Sequence, residues 1–159
     1  MKKFALAAMT ALTLVSSSAF ASFAGPVLVK TSGGGFTPPE WFMNETCEIF
    51  TNKVVITHTY GQSELVAKEV RAVTLTGLRA VAAKASAATL EQQDNGLCDA
   101  PGTSIYINAI QPNDTISQVM LFSSGGCGSP RLQRNGGYAA ALRDLVNQYC
   151  SKNFDIGNN

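Results

Sequence analysis

The chain has 159 residues, of which 45% are hydrophobic and 14% are charged. This balance is typical of a globular protein and excludes an intrinsically disordered one. Without Lys2 and Lys3, ten basic residues face eleven acidic ones, which gives a formal charge of −1. The composition therefore offers no basic surface for nucleic acid or for anionic membranes.

The N-terminus has the pattern of a cleavable signal peptide. Two lysines precede an apolar stretch over residues 4–15, and Ala19-Phe20-Ala21 matches the small-residue cleavage pattern. A membrane anchor is the alternative, but a span needs about 20 apolar residues, more than this stretch has. We expect a signal peptide over 1–21, a single domain over 22–150, and a flexible tail over 151–159. The location is then periplasmic or secreted, with no membrane insertion after cleavage.

Short strands are predicted next. An apolar run at 27–29 predicts an opening strand, and glycines and prolines over 31–43 predict a loop. Beta-branched and aromatic residues over 47–50 and 54–60 predict a hairpin around Asn52.

The segment 64–90 admits two interpretations, a single long helix or a strand followed by a helix. Thr74, Thr76 and Gly77 would weaken a continuous helix, which favours a strand over 66–75. The helix that follows would start at Thr76 as its N-cap. Four residues would line one face of this helix: Leu78, Val81, Ala82 and Ala85.

The second half of the chain predicts a hairpin and a helix. Strands are expected over 104–110 and 116–122, between glycine-rich loops at 92–103 and 123–137. The spacing i, i+4, i+7, i+11 then predicts an amphipathic helix capped by Asn135, with one face formed by Tyr138, Leu142, Leu145 and Tyr149.

These elements predict an α+β fold. A meander and a hairpin would form an antiparallel sheet of five to six strands, with two α-helices packed on it. The four cysteines have no C-x-x-C spacing, which favours two disulfides over a zinc site or redox chemistry. Cys98 and Cys127 bound the same predicted hairpin, so we expect them to pair, which leaves Cys47 for Cys150.

The loop from Ser123 to Arg134 is the strongest candidate for a binding site. A disulfide and Pro130 would stiffen it, so that it would lose little entropy on binding. Its contact residues would be Arg131, Leu132 and Arg134, and Trp41 in the other long loop would add to them. An ordinary hairpin-to-helix connection and a packed aromatic loop are the alternatives.

Catalytic candidates are weaker. His58 is the single histidine, and a Ser–His–Asp site would need Ser123 or Ser124 and an acid such as Asp99 or Asp114. A glycosidase would instead need two facing carboxylates, for which the glutamates around Trp41 are candidates: Glu40, Glu45 and Glu48. No spacing demands either site, and no metal or cofactor is implied.

The sequence therefore favours an exported, disulfide-stabilised binding or inhibitory module that acts on a protein partner in the envelope or outside the cell. The alternative is a small secreted hydrolase that uses His58 or a Glu40/Glu48 carboxylate pair. A purely structural role in the envelope stays open, and the sequence specifies neither the partner nor the oligomeric state.

Overall fold

The computed structural model describes residues 24–33, 43–61, 64–94, 102–110, 115–125 and 129–150. Eight strands lie in these segments: β1 (Leu28–Gly33), β2 (Met43–Ile49), β3 (Lys53–Tyr60), β4 (Glu64–Ala72), β5 (Leu90–Gln93), β6 (Gly102–Ile110), β7 (Ile116–Ser124) and β8 (Arg131–Arg134). They form one sheet in the order β4-β3-β2-β1-β6-β7-β8-β5, and every neighbouring pair is antiparallel. With the helices α1 (Leu78–Ser86) and α2 (Gly137–Tyr149), the fold is α+β, as predicted.

The local pairings largely follow the sequence pattern. The first predicted hairpin corresponds to β2–β3, and the second corresponds to β6–β7. Residues 64–72 form a strand, β4, and the helix α1 follows it, as the preferred interpretation predicts. The helix caps were predicted wrongly. Gly77 and Gly136 occupy the two N-cap positions without any side-chain cap, in place of Thr76 and Asn135.

The sheet has more strands than the five to six that were predicted. The segments 92–103 and 123–137, predicted as loops, contain the end of β5, all of β8 and the start of β6. β5 and β8 are polar strands of four residues that pair with each other, so neither shows the apolar alternation that marks a strand in sequence. Both ends of the predicted loop over 31–43 are strand residues, because β1 extends to Gly33 and β2 begins at Met43.

The disulfide between Cys47 and Cys150 confirms one of the two predicted pairings. It joins β2 to the residue that ends α2, with a sequence separation of 103. Cys98 and Cys127 lie outside the described residues, as do Glu40, Trp41, Asp99, Asp114, the predicted signal peptide and the predicted tail.

The core lies between the helices and one face of the sheet. Because side chains alternate along a strand, Cys47 and Ile49 share a face, and the disulfide to α2 identifies it as the face that the helices cover. We call it the helix face, and the opposite side the open face. Besides the two disulfide-bonded cysteines, the buried core consists of apolar residues: Val27, Leu28, Ile49, Val54, Ile56, Leu78, Ala82, Ala85, Ile105, Ile107, Leu121, Ala139, Leu142 and Val146.

The buried side of α2 is rotated from the predicted one. Ala139, Leu142 and Val146 are its buried residues, whereas Tyr138 is 49% exposed.

Within the described segments, neither helix has the length and hydropathy that crossing a membrane would require.

Candidate functional site

Five hydroxyl side chains lie in register across the open face. They come from five adjacent strands, and we call them the hydroxyl row: Thr57, Thr46, Thr31, Ser104 and Ser123. Neighbouring strands are about 4.8 Å apart, so the row is about 19 Å long. The Oγ atoms of Ser104 and Ser123 are 3.3 Å apart and share a hydrogen bond. The row is a rigid series of groups that both donate and accept hydrogen bonds.

A second row runs beside the first on the same face. This tyrosine row contains Val55, Glu48, Val29, Tyr106 and Met120. All five are partly or fully shielded from solvent, and none belongs to the core on the helix face. Hydrogen-bonding groups and apolar groups therefore lie side by side on the open face.

An open pocket of about 430 Å³ lies where β1, β2 and β6 meet. Eight residues line it: Thr31, Ser32, Gly33, Asn44, Glu45, Thr46, Gly102 and Ser104. Gly33 and Gly102 are directly paired, and a Cβ on Gly33 would collide with the amide of Asn44. The pocket therefore depends on a residue without a side chain at Gly33.

An ion pair is buried on the opposite side of the sheet. Lys30 Nζ lies 3.3 Å from Glu45 Oε1, and the two residues are 7% and 1% exposed. Among the described residues, the buried Glu45 Oε2 has no hydrogen-bond partner. His58 lies directly across from Glu45 on β3. Strand alternation thus places these side chains on the helix face, away from the hydroxyl row.

The described residues do not bring together the candidate catalytic groups that they include, and Glu40, a member of the predicted Glu40/Glu48 pair, lies outside them. β3, which carries His58, is four strand spacings from β7, or about 19 Å, which separates His58 from Ser123 and Ser124. Glu45 and Glu48 point to opposite faces of the sheet, so they cannot form a facing carboxylate pair. No group of three or more His, Cys, Asp and Glu residues in the described segments could hold a metal ion.

The predicted contact residues of the arginine loop lie in a strand, which corrects their expected geometry. Arg131, Leu132 and Arg134 all lie in β8. The Arg134 guanidinium donates to the carbonyl oxygens of Met120, at 2.7 Å, and Ala88. The Arg131 guanidinium lies 5.1 Å from the ring centroid of Phe122. Arg134 therefore ties the edge of the sheet to the segment after α1 and does not project as a free contact.

Burial and hydrogen bonding shift the pKa values of Arg143, in α2, and of Glu69, in β4. Burial lowers the pKa of Arg143, whose guanidinium donates to the carbonyl oxygen of Arg134 at 2.6 Å. On β4, the hydrogen bond from Arg71 lowers the pKa of Glu69. Arg71 also donates to the carbonyl oxygen of Tyr149 at 3.3 Å, at the C-terminus of α2, where a cation is favourable.

The two rows were not found from the sequence, because their members become neighbours only through strand register. The alternating hydroxyls of Thr57 and Thr59 were the one local signal of a polar sheet face. No protein-family model, curated protein or solved structure matches the chain. Function is therefore inferred from the geometry of the described residues.

Proposed function

We propose that the chain is an exported binding module that contacts a protein partner through the hydroxyl and tyrosine rows of the open face. The observation that carries this proposal is their arrangement in two parallel lines beside an open pocket of about 430 Å³. Such a surface offers hydrogen bonds and apolar contact together, as protein interfaces do.

The composition of the two rows supports a protein partner. Tyrosine and methionine are enriched at protein interfaces, and serine and glycine provide adaptable contacts in antibody paratopes. Charged residues are depleted at the centres of interfaces, and Glu48 is the only charged residue among the ten of the two rows. Tyr106 lies between Val29 and Met120 in its row, and tyrosine is among the residue types that most often act as interface anchors.

The rigidity of the platform also supports binding. Every residue of the rows lies in a strand with a neighbour on each side, so its backbone is already ordered. A surface that is ordered before it meets its partner loses less conformational entropy in the complex. The sheet face is in this respect better ordered for binding than the loop that the sequence predicted.

The test compares variants on the two sides of the molecule. The exported protein would be used to capture partners from envelope and extracellular fractions, and the captured protein would be identified by mass spectrometry. Tyr106→Ala and Thr31→Arg change the open face, whereas Tyr138→Ala changes an exposed residue of α2 and serves as the control. Circular dichroism would establish that each variant is folded.

We expect Tyr106→Ala to weaken binding of the identified partner by at least about 30-fold, the effect of losing a hot-spot residue. Thr31→Arg should weaken it further, because it inserts a charge into the hydroxyl row. Tyr138→Ala should bind as the unchanged protein does. A partner whose affinity is the same for all three variants, or that is lost only with Tyr138→Ala, would show that the open face is not the binding surface.

A further inference from the structure

β4 is an edge strand with an unusual degree of exposure. All nine of its residues are exposed, and three of them are large and apolar: Leu65 (59%), Val66 (56%) and Val70 (59%). The strand at the other edge of the sheet, β5, has four residues. A long exposed edge strand with apolar side chains is a template for pairing with another strand.

The hydrogen bonds of β4 to β3 show which backbone groups point outward. Val73 N–H donates to the Asn52 carbonyl at 3.1 Å, so this pair is a hydrogen-bonded pair of the ladder. Because such pairs alternate, Glu69 and Arg71 direct their backbone groups toward β3. Lys68, Val70 and Ala72 therefore direct their N–H and C=O groups away from the sheet.

We propose that β4 of one copy of this chain pairs antiparallel with β4 of a second copy, around a two-fold axis at Val70. In this register Val70 lies opposite its own copy, as a hydrogen-bonded pair. Glu69 lies opposite Arg71 of the second copy, and Arg71 lies opposite its Glu69. Lys68 lies opposite Ala72, so no like charges face each other.

The charges of β4 select this register over its neighbours. An axis at Lys68 would oppose two lysines, and an axis at Glu69 would oppose two carboxylates, both of which are unfavourable across strands. An axis at Ala67 would place the apolar side chains of Val66 and Leu65 opposite the charged side chains of Lys68 and Glu69. Within one chain, Arg71 already binds both carboxylate oxygens of Glu69, at 2.5 and 2.7 Å. In the dimer, the charges of Glu69 and Arg71 from the two copies therefore alternate in sign.

Charged residues on an edge strand usually prevent such pairing. Here the sequence Lys68-Glu69-Val70-Arg71 does not, because an acid and a base flank the central valine and each meets its opposite across the axis. The two-fold axis is perpendicular to the sheet, so both open faces lie on the same side of the dimer. This inference is independent of the proposed partner binding, since it rests only on β4.

Cysteine cross-linking tests the register directly. Hydrogen-bonded residues of an antiparallel pair have Cα atoms about 5.5 Å apart, within the range of a disulfide. Val70→Cys should therefore link to its copy under mild oxidation. Lys68→Cys is the matched control, because the two copies of residue 68 would be about 14 Å apart along the strands.

We expect the cross-linked fraction of Val70→Cys to exceed that of Lys68→Cys by about tenfold or more, with a 70–70 peptide found by mass spectrometry. Preferential linking of Lys68→Cys would place the axis elsewhere and overturn the proposal. Equal linking of both variants, or none in either, would overturn it as well.

Charge exchange provides a test that does not introduce cysteine. Glu69→Arg and Arg71→Glu each create like charges across the axis, and each should raise the monomer–dimer Kd by about tenfold in sedimentation velocity. The double exchange Glu69→Arg/Arg71→Glu restores both pairs and should restore the dimer. It still lacks the Arg71 hydrogen bond to Tyr149, so recovery cannot come from that contact. A monomeric unchanged protein at every concentration, or single variants that dimerise normally, would refute the pairing.

Discussion

Removing the positive partner of the buried ion pair should strongly destabilise the fold. In Lys30→Met the volume is nearly kept, but the Glu45 carboxylate stays 1% exposed without its ammonium partner at 3.3 Å. At this distance the attraction is about 5 kcal/mol for an effective dielectric constant of 20. Loss of one partner from buried pairs typically costs 3 to 5 kcal/mol, and we expect about that here.

The double variant Lys30→Met/Glu45→Leu is the control for this prediction. It removes both charges and also the buried Oε2 atom that has no hydrogen-bond partner. Replacing a whole buried pair with apolar residues is often neutral or stabilising, so the double variant should regain most of the lost stability.

The measurement is urea unfolding of the oxidised protein, followed by tryptophan fluorescence and circular dichroism, with m-values compared between variants. If Lys30→Met lost less than about 1 kcal/mol, the pair would behave as an exposed salt bridge, and the burial argument would be refuted. A double variant less stable than Lys30→Met would contradict the reasoning about the unsatisfied carboxylate oxygen.

Three further predictions concern the scaffold. Replacing Cys47 and Cys150 together with alanine should cost about 4 to 5 kcal/mol in guanidinium unfolding, because the disulfide closes a loop of 103 residues; a loss below about 1 kcal/mol would contradict this. Arg134→Met should cost about 2 to 3 kcal/mol in the same assay by leaving two carbonyl acceptors unpaired, and an unchanged midpoint would show that they are satisfied otherwise. Gly77→Ala should cost about 1 to 2 kcal/mol of folding stability, because φ at this residue is +77°. Gly137→Ala, the matched control inside α2, should be neutral or stabilise the fold by up to about 1 kcal/mol. Equal melting temperatures for the two variants would refute this difference.

The parts of the fold predicted from sequence are those in which local pattern and structure agree. Val54 and Ile56 lie in a beta-branched run between turn residues, and they belong to β3, which has a neighbouring strand on each side. Leu142 and Val146 repeat with helical spacing and are buried in α2. The pairing of Cys47 with Cys150 followed from assigning the other two cysteines to one hairpin.

The parts that were missed depend on contacts between distant segments. The neighbours of Leu132 in β8 are polar or charged, and this segment becomes a strand only because β7 and β5 flank it. Glu45 has the composition of an exposed loop residue, and only its pairing with Lys30, fifteen residues away, explains its burial. The open face has the same origin, since register between β1 and β6 joins Thr31 to Ser104.

The central position of β1 determines when the sheet can form. Its partner on one side, β2, follows closely in the chain, but its other partner, β6, brings Ile107 opposite Leu28 across about half the length of the chain. Closing so long a loop is entropically costly before any contact compensates for it, and folds rich in such contacts take milliseconds to seconds to form. The centre of the sheet therefore cannot form until β6 has been synthesised, and a chain truncated before β6 would leave one edge of β1 unpaired and prone to aggregation.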